Sequence, residues 1–175
     1  MSNTLSRTES VQDLHLVLKL TKKADYGLIS LRHLAVATNG RRASAKDISD
    51  AYRIPLPILS KVLQKLAKGG LLTSEQGTNG GYRLSRPARE ITTLEAIRTI
   101  DGPIILTACF TDHAGCNQSE SCTVREPLRR VHEGILRLLG SISIADMAQD
   151  GPFPLPDSQI FQLQPAHMPA PATKG

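Results

Sequence analysis

Hydrophobic residues recur at helical spacing from Lys22 to about Thr38, with Leu28, Leu31, Leu34 and Ala35 on one face, until Asn39-Gly40 stops the run. Ser44 then stands three residues before Asp47, a short-acid variant of the capping box, and opens a brief helix with Ile48 and Ala51 expected inward. Tyr52-Arg53-Ile54 reads as a tight turn. Pro55 or Pro57 starts the next helix, where a missing N–H costs nothing, and Leu59, Val62, Leu63 and Leu66 mark its buried stripe. The opposite face carries Ser60, Lys61, Gln64, Lys65 and Lys68, and Gly69-Gly70 ends the helix. Two short extended segments, Leu71 to Ser74 and Tyr82 to Leu84, flank a loop containing Gly77, Thr78, Asn79, Gly80 and Gly81, which is a hairpin signal. Helix, short helix, turn, helix and hairpin is the order of a winged helix-turn-helix, so the fold class is mainly α with a two-stranded β wing.

Beyond the wing the pattern becomes helical again. Thr93 to Ile100 predicts a short helix, broken by Asp101-Gly102-Pro103. Thr123 stands three before Glu126, a second capping-box match, with Pro127 tolerated at the edge of the first turn. Val124, Leu128, Val131, Ile135, Leu138 and Ile142 then step by four and three alternately, the period of two helices packed along a seam. A small winged domain has little free apolar surface to cover such a stripe, so the expected assembly is a homodimer built on this helix. Gly140 is a stop signal ahead of Ile142. The expected organisation is a mobile arm over 1–17, a DNA-binding domain over 18–90, a cysteine loop and dimerisation helix over 91–150, and a disordered tail over 151–175. That tail holds six prolines in 25 residues.

Charge sharpens this picture. Of 21 basic and 16 acidic residues, 14 basic and 5 acidic lie between Lys19 and Glu90, a local excess of +9 against −4 for the remainder. A basic unit joined to a mildly acidic one fits a polyanion-binding module attached to one with other work. With three Phe, three Tyr and no Trp in 175 residues, the core must be aliphatic, and stacking on single-stranded bases is excluded as a main function. No apolar run approaches the roughly 20 residues that cross a bilayer, and the N-terminus lacks the features of a secretory signal, so the expectation is cytoplasmic, without a membrane partner.

The three cysteines fall in one segment, Cys109-x6-Cys116-x5-Cys122. Zinc sites usually draw two ligands from a C-x2-4-C knuckle, which neither spacing provides, and a fourth cysteine is lacking. A small iron–sulfur cluster is bulkier and can be wrapped by a longer loop, although the usual ferredoxin spacings differ from this one. Spacing alone orders the readings as iron–sulfur cluster, redox-active thiols, zinc, then inert thiols. No Cys-x-x-Cys or Ser-His-Asp pattern supports an enzyme or a small-molecule substrate.

The segments Lys22 to Gly27, Gly69-Gly70-Leu71, Gly77 to Leu84, the cysteine loop and Ser143 to Met147 resemble the Rrf-two family of bacterial winged-helix regulators, over roughly Leu18 to Met147. Val124-Arg125-Glu126 and the Ser-Ile-Ala-Asp-Met ending look most similar to regulators of the SUF iron–sulfur assembly operon. The resemblance implies a dimeric repressor on a palindromic duplex operator, holding a cluster, [2Fe–2S] ahead of [4Fe–4S], on Cys109, Cys116 and Cys122. It places Arg125 where the IscR type has a histidine ligand, so the fourth ligand falls to Asp25 or Glu126 ahead of His113 and His132. Gln76 replaces an arginine that enters the minor groove in several relatives. On such a fold Pro57, Ser60, Lys61 and Gln64 would face base edges, while Lys22, Lys23, Lys65, Asn79 and Arg83 would hold phosphates. The alternative within the same resemblance is a regulator that senses nitric oxide or redox state through these thiols without a cluster.

Overall fold

A computed structural model describes residues 20–37, 42–77, 80–107, 110 and 121–149. Among these, α1 spans Lys22–Val36, α2 Ala45–Tyr52 and α3 Leu56–Lys68; strands β1 and β2 span Leu72–Glu75 and Gly81–Leu84. A 3-10 turn at Ala88–Glu90 leads to α4, Thr93–Asp101, followed by α5, Arg125–Ser141, and α6, Ile144–Ala148. The strands pair antiparallel, with Leu72 opposite Leu84 and Glu75 opposite Gly81. The fold is the mainly helical winged helix-turn-helix that the pattern predicts.

Local chemistry explains most boundaries. Thr21 accepts from the Ala24 amide at 3.1 Å and starts α1. At α2 the capping box is complete: the Asp47 amide donates to Ser44 Oγ at 3.1 Å and the Ser44 amide to Asp47 Oδ2 at 2.9 Å. Gly70 adopts φ +78°, and the Leu71 amide bonds back to Leu66 at 2.9 Å, so the chain leaves α3 through a left-handed turn. Gly27 serves a different need, since a Cβ there would collide with Ile100 Cδ1 and lie 3.4 Å from Val62 Cγ1; its absence lets α1 lie close on α3 and α4.

The core is aliphatic and continuous. Leu31, Ile48, Leu59, Leu63, Leu66, Leu71, Ile91, Ile100 and Ile144 are fully buried in one cluster, so packing does not stop at residue 90. A backbone bridge between Thr92 and Ser143 fastens the start of α4 to the turn between α5 and α6, through Thr93 N–H to Ile142 O and Ile144 N–H to Ile91 O, both 2.8 Å.

Three local expectations need correction. Ala51 is exposed, leaving Ile48 as the buried residue of α2. Thr123 and Glu126 form no capping box, because α5 begins at Arg125 without a side-chain cap and Glu126 turns to arginines one turn later. Gly140 does not stop α5, which continues to Ser141, with Leu94 filling the space beside the glycine. The second complete capping box belongs instead to α6, where Ser143 and Asp146 bond reciprocally at 2.8 and 3.1 Å.

Candidate nucleic-acid interface

The buried stripe of α3, Leu59, Val62, Leu63 and Leu66, fixes the helix on the core and turns the opposite face outward. Pro57, Lys61 and Gln64 are exposed on that face with Lys68, and Ser60 is half-buried at its margin. The four residues expected at base edges are therefore on one helix, available to a groove. Lys22 and Lys23 are exposed in the first turn of α1. Asn79 lies outside the described residues.

Two expected phosphate ligands have partners within the protein. The Lys65 ammonium donates to the Ile100 carbonyl at 2.8 Å, where it complements the carbonyl end of α4. Arg83 lies 3.5 Å from Glu75, which also pairs with Arg42 at 2.8 Å, so one carboxylate gathers two guanidinium groups on the wing. Arg42 escaped the sequence reading; its link to the wing arises from a bridge between Ala43 and Tyr82, with backbone bonds of 2.9 and 3.1 Å. That pairing is long-range and leaves no mark in local spacing.

On the cysteine side, Cys122 is a half-buried free thiol three residues before α5, whereas Cys109, Cys116 and His113 lie outside the described residues. Among the described residues no group of three metal-ligating side chains assembles. Glu126 is exposed and accepts from Arg129 at 2.7 and 2.8 Å and from Arg130 at 3.2 Å. Those bonds, Arg129 first, hold its carboxyl well below the usual range, at about 2. Asp25 has no ion pair with a described residue and borders a hollow of about 350 Å³ with Lys22, Tyr26, Ile29, Arg32 and Met147. His132 Nδ1 is buried without a hydrogen-bond partner, and its ring lies 5.3 Å from that of Phe110, the neighbour of Cys109.

None of the 17 residues of α5 is fully buried. Val124 and Val131 are 56% and 45% exposed. Ile135, Leu138 and Leu139 face a cavity of about 490 Å³ shared with Leu20, Ile97 and Ile104. The apolar stripe is thus covered in part at its C-terminal end and open at its N-terminal end. No helix among the described residues is long and apolar enough to cross a membrane.

A helix-turn-helix with a paired wing and an outward polar helix defines a winged-helix DNA-binding protein. Residues 20–150 match the Rrf2 family model, described as an iron-dependent transcriptional regulator, and the chain belongs to that family. Similar solved structures include CymR, the global cysteine regulator of Bacillus subtilis, at 27% identity and TM-score 0.65, covering 76% of this chain and 99% of that one. IscR of T. potens matches at 28% identity and TM-score 0.59, covering 77% and 93%. Staphylococcus aureus CymR, at 24% identity and TM-score 0.62 over 75% and 99%, shares the fold. Family members are DNA-binding transcriptional regulators, so this protein is a regulator rather than an enzyme.

Proposed function

We propose that the protein is a homodimeric repressor that binds a palindromic operator and responds to an iron–sulfur cluster, with the genes of SUF cluster assembly as its targets and the cytoplasm as its place of action. The observation that carries this reading is the juncture of chemistry and lever: the three-cysteine segment runs directly into α5, where Val124 at the N-cap and Val131 within the helix are exposed and leave a seam for a second copy.

The donor set fits a cluster. Three thiols in 14 residues are soft ligands for iron, and the unpartnered Nδ1 of His132 lies beside the segment's Phe110. When bound, a cluster supplies a redox-sensitive group whose loss is chemically irreversible without new iron and sulfide. Cys109, Cys116 and Cys122 would hold it. For the remaining position Asp25 and His132 have free donors, whereas Glu126 is engaged by two guanidinium groups. Pro57, Ser60, Lys61 and Gln64 of each subunit would face base edges; Lys22, Lys23, Lys65, Asn79 and Arg83 would hold phosphates. Lys65 and Arg83 each keep further N–H donors beside their present partners, through which they would reach a phosphate. Half-sites should lie about one helical turn, or a multiple of it, apart.

Anaerobic purification tests the cluster directly. Absorbance near 400 nm with iron and acid-labile sulfide is expected, and Cys122→Ala should lose all three. A coloured variant lacking all three cysteines would contradict ligation by these thiols. A second reading, a cluster-free thiol switch, is favoured by the likeness to the B. subtilis cysteine regulator; a colourless, iron-free protein whose DNA affinity follows thiol oxidation would establish it.

A further inference from the structure

The entry to α3 has an unusual composition. Ile54, Pro55, Leu56, Pro57 and Ile58 are five successive residues without a hydrogen-bonding side chain. Ile54 is buried, yet Leu56 and Ile58 are each 40% exposed, and Pro57 is exposed between them. The core does not use them, because the stripe beginning at Leu59 already packs that side. At about 100° per residue, Pro57 falls on the centre of the outward face with Lys61, Gln64 and Lys68, and Leu56 and Ile58 lie on either flank. The outward face is therefore bordered in its first turn by two half-exposed apolar side chains, one at each margin next to the buried stripe, and is polar to basic in the next two turns.

A recognition helix reads base edges chiefly with its N-terminal residues. In this chain the first turn, Leu56 to Leu59, has no side chain with which to donate to or accept from a base, and the first polar side chains are Ser60 and Lys61. The major groove offers one apolar group, the C5-methyl of thymine. The lysines further along the helix complement the phosphates beside such a groove, and a protein partner would have no matching need for that basic flank. Resting on the DNA-binding reading above, we propose that Leu56 and Ile58, at the two margins of the face centred on Pro57, each rest against a thymine methyl group, so that each operator half-site carries thymines beside the start of α3. These two residues then set specificity, while Lys61 and Gln64 make the polar base contacts.

The test begins with duplexes selected from a random-sequence pool by the full-length chain, purified anaerobically. Each thymine of the selected site is replaced in turn by deoxyuridine, which removes only the methyl group. The expected result is a loss of about three- to fivefold at one or two positions per half-site. In Leu56→Ala and Ile58→Ala variants the same replacements should cost nothing further, while a circular dichroism spectrum and melting temperature matching the wild type show that the variants fold. Harmless replacement at every thymine, or an undiminished penalty in the double variant, would overturn the proposal. So would a change in oligomeric state of the variants with normal methyl sensitivity, since the patch would then join proteins. Failure to select any sequence would instead contradict the DNA-binding reading itself.

Discussion

Arg53 ends α2 with φ 53° and ψ 39°, the left-handed region in which glycine is at ease and a residue with a Cβ is strained. It is the one such non-glycine residue among those described. Arg53→Gly should therefore raise unfolding free energy by about 0.5–1 kcal/mol in urea titration, and a less stable variant would show that arginine makes contacts worth more than the strain. Glu75 holds Arg42 and Arg83 together on the wing. Its removal as Glu75→Gln should free both guanidinium groups for phosphates, tightening binding to any duplex and steepening the salt dependence by about one to two ions. Unchanged salt dependence would mean that the wing does not reach the backbone. At this scale the sequence was a partial guide: it singled out Arg83 from its neighbours in the wing but not Arg42, because the Ala43–Tyr82 bridge that gathers them is a tertiary contact.

Helices record their starts in short motifs, and where two motifs compete the sequence misleads. Ser44-Asp47 works as a capping box, whereas Thr123-Glu126 fails because Arg129 and Arg130 sit one turn on and take the carboxylate. Ser143-Asp146 works but is followed by a helix of five residues, too short for periodicity to reveal. Ser143→Ala should lower stability by about 1 kcal/mol. Hydrogen bonds from the Ser44 and Ser143 groups depress the carboxyls of Asp47 and Asp146 below their ordinary 3.8. A depressed folded value means that this contribution is present above pH 3.8 and disappears as acid protonates the folded carboxyls. Melting temperature should accordingly fall below pH 4, with a shallower fall in Ser143→Ala; parallel curves would assign acid sensitivity to other groups. The long helix was legible as a seam of six apolar positions on a seven-residue repeat, and the exposure of Val124 at its N-cap and of Val131 gives that seam a consequence. Val131→Glu should convert a dimer to a monomer of unchanged helicity in sedimentation, and a variant that stays dimeric would move the interface elsewhere.

In the whole molecule, one aliphatic core unites α1, α3, α4 and α6, and the Thr92–Ser143 bridge secures the far end of α5 to it. The near end begins three residues after Cys122. This arrangement suits α5 as a lever between the thiols and the two α3 helices of a dimer, since small displacements suffice when both half-sites must be met together. The charge split supports the same division, +9 between Lys19 and Glu90 and −4 elsewhere. Fold class was readable because punctuation by Gly, Pro and capping residues agreed with hydrophobic spacing from α1 to β2. The shared core was not, because Ile91, Ile100 and Ile144 join it across long sequence distances.

The most direct measurement is operator affinity of the oxygen-protected protein before and after its iron is removed by chelation, with protein concentration and salt held constant. A change of tenfold or more that iron and sulfide together reverse, and that Cys122→Ala abolishes, is the predicted result. Equal affinity in the two states would contradict control of DNA binding through the cysteine segment.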